Sequence, residues 1–272
     1  MLRGSSTDRA SRVFGFGAIL LLAGRAAPPQ GCSANLEAVR RRRPGQLQGN
    51  GDIKMRSAAR TVASTFGVIM SLVGIEHGVG EILQGSVPPS GLMFESWPHS
   101  ELFKIMAGEP ALSVIPNLLA SGVLTVLASA AALIWSLAFL DRRNAGLLLV
   151  LLSLFLLLVG GGFAPPLMGM IAGAAATRIM KPLRRWQDRD ATGKPPLLAR
   201  SWKILLAASV LGYLALLPGI PIASQFVKID DPAIVVYLAL FSFATLLMAV
   251  VAALAWDSYR SGQVEGSHRP RR

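Results

Sequence analysis

Residues 145–180 read AGLLLVLLSLFLLLVGGGFAPPLMGMIAGAAATRIM, and the way this stretch divides decides the architecture. No charge falls between 145 and 177. That is well beyond the roughly 20 helical residues that cross a bilayer's hydrocarbon core. Its middle holds Gly160–Gly161–Gly162 and Pro165–Pro166. Proline lacks the amide proton and clashes with the preceding helical turn, and glycines weaken a helix further. The stretch is therefore either one badly kinked helix or a tight hairpin of two short spans, 145–161 and 165–180.

The charges around it choose between these. Loops on the cytoplasmic side carry the excess of Lys and Arg. The following loop, 178–203, holds Arg178, Lys181, Arg184, Arg185, Arg189, Lys194, Arg200 and Lys203. With the N-terminus inside and a hairpin at 145–180, that loop is cytoplasmic. Arg142–Arg143 and the tail bearing Arg260, Arg269, Arg271 and Arg272 fall on the same side. Only Lys104 and Lys228 then face outward, out of 27 basic residues. One kinked span would instead put the basic loop and the basic tail outside. The pattern predicts an all-α polytopic transmembrane helical bundle of six spans, or five if 145–177 is one kinked helix. They lie at about 61–83, 112–140, 145–161, 165–180, 204–222 and 233–256, within a transmembrane domain at 55–258, with both termini cytoplasmic.

Composition agrees. The chain of 272 residues is 52% apolar and only 15% charged, against about 25% charged in soluble domains. The apolar runs lack the polar outer face of a soluble helix. The net charge of +12 does not indicate nucleic acid, because the basic residues sit in the gaps between apolar runs. The single Cys32 excludes an internal disulfide. Residues 1–54 are rich in Arg, Gly, Pro and Ser, a composition that cannot bury a core and predicts a disordered basic extension. Val13–Ala23, behind Arg3, Arg9 and Arg12, has the outline of a signal peptide with a poor cleavage site. Alternatively, translation starts at Met55. Residues 259–272 are expected to be a second disordered basic tail.

The outward side holds one sizeable loop, 84–111, with Glu95, Glu101 and Glu109 against Lys104. Phe94, Trp97 and Phe103 suit the interfacial aromatic belt, and Ser100–Ala107 suits a short amphipathic surface helix. The other outer loop, Ser224–Pro232, is short and acidic through Asp230 and Asp231.

The first span carries the unusual cluster Gly74–Ile75–Glu76–His77–Gly78–Val79–Gly80–Glu81. Ionisable residues in a membrane helix usually face the bundle interior or a wet cavity and mark function. At about 100° per residue, His77 and Glu81 share a face, whereas Glu76 and Glu81 lie about 140° apart. His77 and Glu81 are thus the expected pair for a proton, ion or solute, and Glu76 joins less easily. Asn117, at the same depth in the second span, is placed to hydrogen-bond this cluster. Two bland alternatives stand beside the site: carboxylates solvated at the headgroup level, or a buried pair that only fixes packing. Two donors are too few for a metal, which takes three or four, so no metal and no cofactor is expected. Gly67, Ser71, Gly74 and Gly78 form a small-residue stripe for close helix packing. Pro218 and Pro221 are expected to kink or end the fifth span. The loop 178–203 is expected to touch anionic lipid head groups.

No phosphate-binding loop, nucleophile elbow or H-E-x-x-H motif is present, so an enzyme is disfavoured. Permeation or transport of an ion or small solute is the expected role. The alternative is a non-enzymatic component that packs against a partner or lipid. Residues 74–85, with Ser96–Trp97–Pro98, Gly108–Glu109–Pro110–Ala111, Ile115–Pro116–Asn117 and Gly160–Pro166, resemble small bacterial multi-pass membrane proteins that carry no assigned function. The likeness covers about 55–185. It implies a bacterial plasma-membrane location and supplies no activity or catalytic residue.

Overall fold

The structure is a computed structural model, and it describes residues 57–179, 195–227, 229 and 231–267. The N-terminal extension to residue 54, with its signal-like run and Met55, and most of the basic loop 178–203 lie outside the described residues. The chain is mostly helical. Helix α1 spans Ala58–Gln84. Strands β1 (Met93–Glu95) and β2 (Pro110–Leu112) flank a 3₁₀ turn at Lys104–Met106. Then come α2 (Leu118–Ala138), α3 (Ala145–Val159), α4 (Ala164–Ala176) and the single turn α5 (Leu197–Arg200). Helix α6 (Trp202–Leu214) runs through a π turn at Ala215–Gly219 into α7 (Ile220–Phe226), and α8 covers Ala233–Ser267. Among the described residues, four helical stretches are long and apolar enough to cross a membrane: α1, α2, α6 through α7, and α8. Helices α3 and α4 are apolar but shorter, at 15 and 13 residues.

The small residues set the packing of α1 on α2. A side chain at Gly67 would run into Ser136, one at Gly74 into Ser129, and one at Gly78 into Gly122 and Val126. The partners descend as α1 ascends, so the two helices are antiparallel, and the small faces let their backbones approach closely. Ser71 is fully buried in the same row. The stretch at 145–177 is a hairpin, broken at Gly160–Phe163. Gly146, at the start of α3, packs on Gly173 and Thr177 at the end of α4. Gly169 of α4 lies against Met70 and Ser153. Large residues fill the centre: Phe66, Met70, Leu149, Leu156, Met168 and Tyr213 are buried in one core.

Helix α3 stops because its last carbonyls find other donors. The final four carbonyls of any helix lack intrahelical partners. The Val159 carbonyl accepts from the hydroxyls of Ser121 and Thr125, each at 2.6 Å. The Leu158 carbonyl accepts from the Val114 amide at 3.0 Å. Gly160 then turns the chain with φ of 110°.

At the opposite end, Asp257 of α8 caps α1. Its carboxylate accepts from the Ser57 hydroxyl at 2.7 Å and from the amides of Ala58 and Ala59 at 2.8 and 2.9 Å. These amides are free donors at the positive end of the helix dipole. Arg60 pairs with Asp141 at 3.1 Å, tying the same end of α1 to the α2–α3 connection.

Several expectations need correction. Ser100–Ala107 is not an amphipathic helix: only Lys104–Met106 forms a 3₁₀ turn, because Ala107, Gly108 and Glu109 turn back in the left-handed region at φ of 52°, 67° and 54°. Phe94 is not a belt residue but is buried with Ala111 and Leu118 under the loop. Pro218 and Pro221 do not end the fifth span. Pro218 lies inside the π turn and Pro221 in the turn after it, and the helix continues through both to Phe226, so of the expected kink or end only the end is absent. The expected disordered tail from 259 is helical to Ser267, beyond the anchor that Asp257 makes with α1.

Candidate functional site

The cluster on α1 meets the segment that joins α1 to α2. β1 and β2 pair antiparallel with Phe94 opposite Ala111, and Ser96 and Trp97 continue the pairing onto Glu109 and Gly108. Gln84 anchors this ribbon to α1 by donating to the carbonyls of Glu95 and Ser96 at 3.1 and 3.0 Å. Trp97 covers Gly80 and stacks on Phe103 with centroids 5.4 Å apart. The ribbon and the left-handed turn before it carry Glu109 inward. A non-glycine residue with positive φ is strained by about 1–2 kcal/mol, and such strain clusters where a side chain must be aimed.

His77, Glu76 and Glu109 come together. The His77 Nδ1 lies 2.9 Å from Glu76 Oε2 and 3.5 Å from Glu109 Oε2. It also faces the Val73 carbonyl at 3.1 Å. His77 and Glu109 are each only 4% exposed. Glu76 Oε1 and Glu109 Oε2 have no hydrogen-bond partner. The His77 ring rests on Gly162, where a side chain would collide with it.

Glu81 points elsewhere. It is fully buried, its carboxyl group packs on Gly160, and neither oxygen has a hydrogen-bond partner. The two outer glycines of the hairpin turn thus seat the two ionisable residues of α1. The solvated alternative for Glu81 is overturned by this burial. The expected His77–Glu81 pair is not the contact the structure makes. His77 pairs with its neighbour Glu76 instead, because a long glutamate side chain reaches sideways along the helix surface. Asn117 is also outside the cluster. It caps α2 by accepting from the Ala120 amide at 3.0 Å, and donates to Ser86 at 2.9 Å.

No protein-family model, curated protein or solved structure matches the chain. The chemistry of the site therefore rests on its own geometry.

A cavity of about 350 Å³ adjoins the cluster. Glu76 and Glu109 border it, and its other walls include Val73, Phe103, Tyr213 and Leu217. Tyr213 is 1% exposed, and its hydroxyl lacks a partner. Its ring is held edge-on by Phe66 and Phe243 at 5.7 and 5.5 Å.

Glu109 lies outside the spans, and burial pushes its carboxyl up to about 8, against the opposing pull of His77 and with help from the nearby Glu76 carboxylate. The sign follows from linkage. A carboxyl whose folded value is raised is neutral in the fold while charged in the unfolded chain. Its contribution to stability is intact below about pH 4.5 and is lost as pH rises to about 8. In detergent-purified protein held in chelator, the unfolding midpoint should fall across that window. Glu109→Gln should flatten the fall. An unchanged profile would mean that Glu109 titrates as a solvated carboxyl.

Proposed function

We propose that this is a small integral membrane protein that takes an ion or small solute at the Glu76–His77–Glu109 cluster and passes it across a bacterial plasma membrane. The carrying observation is that an outer-loop carboxylate is buried against a histidine of the first span with carboxylate oxygens left unpartnered. Unpaired buried charge is expensive, and intramembrane ionisable residues are retained where an ion, proton or substrate uses them. The cavity beside Glu76 provides a recess at the same depth. We infer six passes, with α3 and α4 forming the central hairpin and both termini cytoplasmic. The antiparallel α3–α4 pair and the basic residues gathered on one side support that topology.

The alternative, a non-enzymatic component that packs against a partner or lipid, drew on the absence of catalytic motifs and on the glycine stripe. Gly67, Gly74 and Gly78 are occupied by α2 of the same chain, which removes the stripe as a support and leaves the other.

Thermal unfolding of the full chain in detergent, across monovalent and divalent ions and small solutes, tests the proposal. A ligand that binds only the folded state raises the midpoint. At least one should raise it in the wild type and fail to do so in His77→Ala. If no ion or solute shifts the wild type, the proposal falls.

A further inference from the structure

We infer that Glu76, His77 and Glu109 form a binding site for a divalent first-row transition cation of the Zn²⁺ class. This rests on the site proposed above and names its ligand. Sequence reasoning stopped at two donors on one helix face, but the outer loop supplies a third. The three donor atoms all lie within 4.8 Å of one another. Around a tetrahedral ion with bonds of about 2.0–2.1 Å, neighbouring donors sit roughly 3.3 Å apart. The separations of 2.9 and 3.5 Å from His77 Nδ1 to the two carboxylates bracket that value. The two carboxylates lie within 4.8 Å of each other, so rotation of the flexible glutamate side chains closes the remaining distance.

Charge points the same way. When an incoming cation displaces the proton that burial keeps on Glu109, the neutral imidazole and two carboxylates carry two negative charges, and no Lys or Arg is paired with them among the described residues. A divalent cation balances them. Independently, Glu109 is 96% buried by its 4% exposure, and its Oε2 faces His77 without a hydrogen-bond partner. A cation held between Glu109 and His77 would satisfy that buried oxygen.

The donor set selects the ion. Imidazole with carboxylates suits Zn²⁺ and its neighbours, whereas Mg²⁺ and Ca²⁺ favour all-oxygen shells and Cu⁺ favours thiolates and thioethers. As a ligand, Nδ1 must present its lone pair, so the ring proton moves to Nε2 beside Gly162. The Nδ1 contact with the Val73 carbonyl is then replaced by the metal bond. Three protein ligands leave a fourth position for water, the pattern of an exchanging site rather than a closed structural one.

The test uses tag-free full-length protein in detergent, stripped with chelator and titrated calorimetrically with ZnCl₂. Co²⁺ is added separately to read the visible ligand-field bands of a four-coordinate site. One Zn²⁺ per chain is expected, with binding at least tenfold weaker in Glu109→Gln and in Glu76→Gln, and the Co²⁺ bands lost in His77→Ala. Glu101→Gln, at an exposed outer-loop acid, should bind as the wild type does. Near-isosteric glutamine keeps the fold testable, and size-exclusion elution verifies it. Absent saturable Zn²⁺ binding, or equal binding in all four variants, overturns the metal assignment. If Zn²⁺ fails while another ion or solute still raises the wild-type midpoint but not that of His77→Ala, the metal assignment alone is wrong. If nothing binds, both proposals fail together.

Discussion

Glu81→Met should make the protein more stable. The Glu81 side chain is fully buried and neither carboxyl oxygen has a hydrogen-bond partner. The Ser121 hydroxyl lies beside it, but its proton goes to the Val159 carbonyl at 2.6 Å, so Ser121 turns only its oxygen to the carboxyl group. A buried polar group without a partner costs about 1–3 kcal/mol, and methionine fills a similar volume without polar atoms. The expected gain is about 2 kcal/mol, or roughly 5 °C in midpoint for a chain of this size. Activity should fall at the same time, since destabilising groups are kept where function needs them. A variant that is less stable than the wild type would show that Glu81 is satisfied in the folded protein and holds the hairpin turn in place.

Gly160→Ala should do the reverse. Gly160 has φ of 110°, and its missing side chain would occupy the place of the Glu81 carboxyl group. Left-handed backbone costs an alanine about 1–2 kcal/mol, and overpacking adds about 1–3 kcal/mol. The expected loss is therefore about 3 kcal/mol. Gly85 provides the control, because its φ of 85° is similar but nothing lies within 4 Å. Gly85→Ala should lose only the backbone part. Combining Gly160→Ala with Glu81→Ala should recover the packing part, a coupling that a double-mutant cycle measures. Equal losses at Gly85 and Gly160 would mean that Glu81 does not press on the turn.

The helices were legible because their cause is local. Apolar runs set their lengths, Gly160–Gly162 and Pro165–Pro166 mark the hairpin, and the spacing of Gly67, Gly74 and Gly78 marks a close packing face. The first-span cluster was legible as a cluster, since charge inside an apolar run stands out. Its wiring was not. Helix geometry pairs residues four apart, which favoured His77 with Glu81, but tertiary packing sends Glu81 onto Gly160 and leaves His77 to Glu76. Glu109 could not be placed from its position, because its direction depends on three successive left-handed residues, two of them not glycine. The tripeptide Gly108–Glu109–Pro110 gave a turn signal at most. Asn117 was drawn to the cluster by depth alone, while its side chain is spent on capping α2.

The most direct test of the proposed role is flux through the protein itself. The full chain is reconstituted into liposomes loaded with a Zn²⁺-sensitive or a pH-sensitive dye, and the cation or a proton gradient is applied outside. The account predicts flux above that of empty liposomes that drops at least tenfold in His77→Ala and in Glu109→Gln, with both variants still folded. Flux no greater than in empty liposomes, or equal flux through the wild type and both variants, would contradict it.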